Sequence, residues 1–261
     1  MEVIIVQDAA AGGETVAQGI AALLRRTPAA LLGVATGSTP LPVYQALASL
    51  VRAGGVDMSA ARIAQLDEYV GLPQGHPESY RSVVLREVVE PLGLDPASFM
   101  GPDGSAEDVR AACEAYDAAL AAAGGVDLQL LGIGTDGHIG FNEPCSSLAS
   151  RTRIKTLTEQ TRADNARFFG GDIEQVPRHV ITQGIGTILE ARHLVLLATG
   201  ENKADAVARA VEGPVASVVP ASALQLHPHA TVVVDEAAAS KLKLADYFRA
   251  TYAAKPAWQG L

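Results

Sequence analysis

The chain has 261 residues, 48% hydrophobic and 19% charged, a globular composition that excludes a disordered or fibrous protein. Its net charge of −9 and isoelectric point near 5.1 argue against general binding to nucleic acid or to anionic membranes, because both require a basic surface. A local cluster of Arg and Lys can override the global sign, so an anionic substrate stays open.

Residues 3–6 are a short β-branched run and read as a first strand that starts at Glu2, without the positive stretch that opens a signal peptide. Helical composition follows over residues 9–26 and ends at Thr27-Pro28. Residues 30–35 are a second apolar strand. The turn Thr36-Gly37-Ser38-Thr39-Pro40 comes next, then a helix over residues 41–52. Residues 62–66 read as a third strand, 78–90 as a helix and 106–123 as a longer helix. Residues 128–133 are almost continuously apolar, as expected of a strand covered on both faces. A strand at 193–199, a helix at 202–212, a strand at 230–234 and a helix starting near Leu244 complete the pass.

The alternation predicts one α/β domain over residues 1–261, Rossmann-like, with a mostly parallel sheet under helices on both faces. The 46 alanines suit helices packed closely on that sheet. Binding groups should then lie beyond the carboxyl ends of the strands. Residues 145–182 break the rhythm, being polar and rich in Ser, Thr and Arg. A lid over an active site and a plain surface excursion are the two readings. Cys113 and Cys145 lack metal-site spacing and point to a reducing, cytoplasmic setting. No run approaches the length of a transmembrane helix.

Three segments carry chemistry. In residues 36–40, Gly37 lets the backbone approach a ligand, while Ser38, Thr39 and the free amides of the next helix form an anion cradle. The alternative is a capped turn, and neither a Walker loop nor a dinucleotide fingerprint is present. Asp67 and Glu68 end the third apolar run. Partial burial of Asp67 would raise its pKa and suit it to general-base work, unless both acids are solvated or cap the next helix. The most specific segment is Gly132-Ile133-Gly134-Thr135-Asp136-Gly137-His138-Ile139-Gly140-Phe141-Asn142-Glu143-Pro144. Four glycines in nine residues imply a tight loop, and a His flanked by Asp136 and Glu143 can move a proton in either direction. Zinc is the weaker reading of this loop, since no second His or Cys stands at ligand spacing. Among the basic residues, Arg151, Arg153, Lys155, Arg162 and Arg167 fall in the lid segment, and Lys203 at a helix start suits a phosphate.

Taken together, these segments resemble the glucosamine-6-phosphate deaminase family. The resemblance spans nearly the whole chain and includes Leu66-Asp67-Glu68-Tyr69-Val70-Gly71-Leu72-Pro73, His76-Pro77-Glu78-Ser79-Tyr80, residues 147–158 and Leu224-Gln225-Leu226-His227-Pro228. The loop Gly-x-Gly-x-Asp-Gly-His is shared with 6-phosphogluconolactonases, while Phe141-Asn142-Glu143-Pro144 favours the deaminase branch. The resemblance implies conversion of glucosamine 6-phosphate and water to fructose 6-phosphate and ammonia, with no metal or other cofactor. It makes Asp67 the base at C2 and C1 and His138 the ring-opening group, with Asp136 and Glu143 orienting that His. Gly37, Ser38, Thr39, Arg167 and Lys203 would hold the phosphate.

Some family members are activated by N-acetylglucosamine 6-phosphate between subunits. The matching residues are Ser146, Ser147, Arg153 and Lys155, with Tyr247 as a further contributor, so this effector and a homo-oligomer are left open. Two departures stand out: Ser38 replaces a second glycine, and Cys145 follows Pro144 where a small residue is usual. The competing readings are a sugar-lactone hydrolase and a non-catalytic sugar-phosphate sensor. The sensor reading calls for a DNA-binding segment and for lost catalytic acids, and neither expectation fits these residues.

Overall fold

Apolar runs without polar alternation become strands buried on both faces: Leu31–Val34, Leu128–Leu131, Leu194–Ala198 and Ala230–Asp235 are buried at every position. The computed structural model describes residues 1–261, except for the side chain of residue 257.

In chain order, β1 (Glu2–Val6) leads into α1 (Ala9–Arg26), whose cap Asp8 accepts from the Ala11 amide at 2.9 Å. Next come β2 (Leu31–Val34), α2 (Leu41–Arg52), β3 (Arg62–Gln65) and β4 (Asp67–Tyr69). The expected helix at 78–90 is a short α3 (Tyr80–Val84) that widens into a π-turn over Leu85–Val89. Then follow β5 (Phe99–Met100), α4 (Val109–Ala122), β6 (Leu128–Leu131), β7 (Arg153–Thr156) and α5 (Glu159–Asn165). The chain closes with β8 (His179–Thr182), α6 (Ile185–Leu189), β9 (Leu194–Ala198), α7 (Ala204–Glu212), β10 (Ala230–Asp235) and α8 (Ala245–Ala253).

Seven strands form the main sheet, in the order β1-β10-β9-β6-β2-β3-β5, and every pair is parallel. Helices α1 and α2 bury Ile20, Leu24 and Leu47 against Leu32, Leu130 and Leu197 on one face. Helices α4 and α7 bury Tyr116, Leu120 and Val207 against Leu31, Leu131 and Leu196 on the other. Each fully buried aliphatic side chain contributes roughly 1.5–3 kcal/mol. The chain builds outward from β2 through β3 to β5, then returns to place β6 on the other side of β2. That reversal opens a crevice at the carboxyl ends of β2 and β6, where open α/β sheets bind ligands.

A second sheet, β4-β8-β7, is antiparallel and was not expected from the sequence. It changes the reading of two segments. Asp67 and Glu68 do not simply end the third apolar run: the chain bends at Leu66 and enters β4, which pairs with β8 from Asp67↔Thr182 to Tyr69↔Val180. Residues 145–182 are not merely a polar excursion. Leu157, Ala166, Phe169, Val176 and Val180 pack on Tyr69 and Phe141 in a core of their own. Among the described residues, no helix is long and apolar enough to cross a membrane.

Candidate active site

Four adjacent strands of the main sheet, β9, β6, β2 and β3, send their next residues over the same edge. Those residues are Gly200–Lys203, the 132–143 loop, residues 36–40 and Asp67. The sequence segments singled out for chemistry therefore meet at the crevice.

Asp67 is 6% exposed. Burial, with Glu68 beside it, pushes its carboxyl from an ordinary 3.8 up to about 8. The two neighbouring acids are treated differently. Glu68 accepts from the amides of Tyr69, Tyr80 and Arg81 at 2.8–2.9 Å and from Gln65 Nε2 at 3.1 Å, which ties β4 to the start of α3. Glu68 thus caps the start of α3, one of the alternatives left open for these acids, whereas Asp67 is buried without such a set of donors.

The loop after β6 folds back on itself. Gly137, at φ +96°, adopts a left-handed conformation that side chains avoid, and Gly134 leaves room for the His138 ring, which a Cβ there would meet at 2.2 Å. Asp136 Oδ1 accepts from the His138 amide at 3.1 Å and stands 2.8 Å from the ring Nδ1. The Nδ1 contact is close but off the N–H direction, so it acts more as a charge contact than as an aligned hydrogen bond. Glu143 Oε2 lies 3.8 Å from the same Nδ1. The imidazole beside Asp136 holds that carboxyl well below the usual range. Two acids on Nδ1 favour its proton there and leave Nε2 to exchange a proton with a ligand. Donor atoms of Asp136, His138 and Glu143 lie within 4.8 Å of one another, so this trio is also where a cation could be held.

Strand β8 joins the two acidic segments. Thr182 pairs with Asp67, and its hydroxyl accepts from the Phe141 amide at 3.1 Å. Next to it, the Asn142 amide donates to the Gln183 carbonyl at 2.8 Å. Tyr69, Tyr80 and Phe141 stack beside this seam. A contact that sequence reasoning missed comes from α5: the Thr161 hydroxyl donates to Glu143 Oε1 at 2.7 Å. The Thr158-x-x-Thr161 capping pattern could have located that helix start, but not its partner.

Of the residues expected to hold an anion, Ser38 is exposed, while Gly37 and Thr39 are half-buried just before α2. Arg167 is exposed, with its guanidinium over the Phe168 ring at 4.7 Å. Burial pushes the Lys203 ammonium down. Asp136 and Asp164 oppose that shift and Arg167 adds to it, so Lys203 faces both the acidic loop and Arg167. The second group is less unified. Arg153 and Lys155 share one half-buried face of β7, Ser146 is buried with no partner for its hydroxyl, and Ser147 is exposed. Tyr247 stands apart, 60% exposed on α8, which packs along β1 at the sheet edge.

Residues 6–234 match the model of the glucosamine-6-phosphate isomerase/6-phosphogluconolactonase family. The chain belongs to that family. It is 82% identical to a glucosamine-6-phosphate deaminase of Streptomyces avermitilis over the full length of both chains. It is 63% identical to one of Pseudarthrobacter chlorophenolicus, again over both full lengths. Among solved structures, a monomeric glucosamine-6-phosphate deaminase superposes with a TM-score of 0.89 at 39% identity, covering 92% of this chain and all of that one. A 6-phosphogluconolactonase of Trypanosoma brucei reaches a TM-score of 0.73 at 18% identity over 92% of this chain and 98% of its own, a likeness of fold alone.

Proposed function

We propose that this family member converts glucosamine 6-phosphate and water to fructose 6-phosphate and ammonia. The observation that carries the reading is Asp67, a buried carboxyl pushed up to about 8 at the crevice, bridged by β8 to the His138 loop. The full-length likeness to deaminases at 82% identity supports it.

The chemistry follows from the groups in place. His138 Nε2 carries the proton of the anomeric hydroxyl to the ring oxygen as the ring C–O bond breaks and the C1 aldehyde forms, while Asp136 and Glu143 stabilise the charge on the imidazole. Asp67 removes the C2 proton, the electron pair forms a C1–C2 double bond, and the C1 oxygen takes a proton from the neighbouring C2 ammonium, which frees the amine lone pair. Asp67 then returns the proton at C1, leaving an iminium carbon at C2. Water adds to C2 and ammonia departs, so each atom is accounted for without an external oxidant. Gly37, Ser38, Thr39, Arg167 and Lys203 hold the sugar phosphate, and residues 145–182 act as the lid that brings Arg167 to it.

Two finer readings belong to the same proposal. Arg153, Lys155 and Ser146 supply two cations and a buried hydroxyl for a second phosphate, that of N-acetylglucosamine 6-phosphate. The two unpaired cysteines, Cys113 and Cys145, suit a cytoplasmic location. A lactonase would leave the buried Asp67 without a carbon acid to act on. Ammonia release from glucosamine 6-phosphate, measured beside hydrolysis of 6-phosphogluconolactone, decides between the two enzymes. Turnover of the lactone alone would overturn the reading.

A further inference from the structure

Helix α5 touches the supports of both proton-handling groups. Thr161 and Asn165 stand four residues apart and so share one face of the helix. From that face the Thr161 hydroxyl donates to Glu143 Oε1 at 2.7 Å, and the Asn165 amide donates to the Tyr69 hydroxyl at 3.0 Å. Glu143 ends the loop that carries His138, and Tyr69 lies two residues beyond Asp67 on the same face of β4.

We propose that Thr161 is a positioning residue for the deamination, acting through Glu143; the inference rests on the deaminase reading above. Glu143 is 8% exposed, and its two oxygens face different partners. Oε1 takes the Thr161 proton, which leaves Oε2 turned to His138 Nδ1 at 3.8 Å. The Thr161 hydroxyl is itself held in place. Its own amide donates to the cap oxygen of Thr158 at 3.1 Å, and that oxygen lies 2.9 Å from Thr161 Oγ1. Because the one hydroxyl proton of Thr161 is committed to Glu143, the Thr158 hydroxyl supplies the proton between the two threonines. The resulting chain runs in one direction, from the helix cap to the carboxylate, and sets the carboxylate plane. Without the Thr161 hydroxyl, Oε1 loses its donor and the carboxylate can rotate away from the plane that presents Oε2 to the imidazole.

The experiment compares Thr161→Val, Thr161→Ser, Glu143→Gln and the double variant Thr161→Val/Glu143→Gln in the full chain. For Thr161→Val, kcat for ammonia release should fall about 10- to 100-fold, the loss expected for one charge-assisted hydrogen bond, with KM changed less than about threefold. Thr161→Ser should restore kcat to within about threefold. In the Glu143→Gln background, the valine change should cost less than about twofold, because the partner through which it acts is already altered. An unchanged kcat in Thr161→Val, an equal loss in both backgrounds, or no recovery with serine would overturn the proposal. If valine disturbs folding, Thr161→Ala repeats the comparison with a stronger helix former. The same four proteins are compared without substrate by ¹⁵N NMR of the His138 ring. Thr161→Val should move those resonances, and the valine change should move them little further once Glu143→Gln is present. That readout tests Thr161 even where ammonia release fails, and absence of ammonia release in the unaltered chain would count against the deaminase reading alone.

Discussion

Asp67→Asn should make the protein a poor catalyst and a more stable fold. Asp67 is buried, and its carboxyl lies at about 8 against an ordinary 3.8. The unfolded chain therefore loses this proton near pH 4, while the folded chain keeps it until about pH 8. A folded value raised above the unfolded one means that stability is fully present below about pH 4 and is lost as pH rises towards 8. At about 1.4 kcal/mol per unit, burying this carboxyl removes about 3–4 kcal/mol of stability between pH 5 and pH 8. An amide in the same place does not titrate, so the advantage of Asp67→Asn over the unaltered protein should widen by about that amount across the same range. Urea unfolding of both proteins at pH 5, 6.5 and 8 measures the gap directly. In parallel, kcat should fall well beyond about 10²-fold with little change in substrate affinity, because the amide cannot take the C2 proton. For the unaltered enzyme, kcat/KM should climb with pH through about 8 as the carboxyl ionises. A stability gap that does not change with pH would refute the assignment of a buried, proton-retaining Asp67. Near-normal turnover in the variant would refute its role as the base.

Arg167→Ala and Lys203→Ala should each raise KM for glucosamine 6-phosphate by about 10- to 100-fold, the loss of one charge-assisted contact to phosphate. Equal use of unphosphorylated glucosamine by the unaltered enzyme would show that no phosphate is recognised. Added N-acetylglucosamine 6-phosphate should shift the substrate saturation curve, by a coupling of about 1–3 kcal/mol, and Arg153→Ala should abolish the shift. Hyperbolic kinetics unchanged by that compound would rule out the second phosphate site and leave the deaminase assignment standing.

The main sheet was legible because a parallel strand under two helical layers must be apolar throughout, as in Leu194–Ala198. The site was legible where local sequence sets local shape. Asp67 follows an apolar run and is buried with it, and the glycines of residues 132–140 allow the loop to turn back on His138. The small antiparallel sheet was not legible. In β7, the Arg153-Ile154-Lys155-Thr156 side chains alternate between half-buried and exposed, too weak an apolar pattern to mark a strand. Its other strands depend on pairing Asp67 with Thr182, 115 positions further along the chain, which no local signal encodes. For the same reason Glu68 and Thr161 could not be assigned from sequence, since their partners lie 12 to 18 residues away. Strand β5 contributes only Phe99–Met100 to the edge of the sheet, below the length at which alternation can be recognised.

The division of labour between the acids follows from where the fold puts them. Asp67 leaves the main sheet at Leu66 and is drawn into β4, out of water and next to Glu68, so its proton is held. Asp136 sits on a partly open loop with the imidazole of His138 against it, so its proton is released. One carboxyl driven up and another driven down, a few residues from the same crevice, is the arrangement that separates proton transfer at carbon from proton transfer at oxygen. Glu68 explains how the raised carboxyl is tolerated: by accepting four donors it keeps the second acid of the pair engaged in structure and bonds β4 to α3. Removing those donors would give Asp67 a competing neighbour and a mobile strand together. The base is therefore set by its neighbours as well as by its own burial, and β4, which carries the chain from the main sheet into the small one, is what makes the chemistry at C2 available.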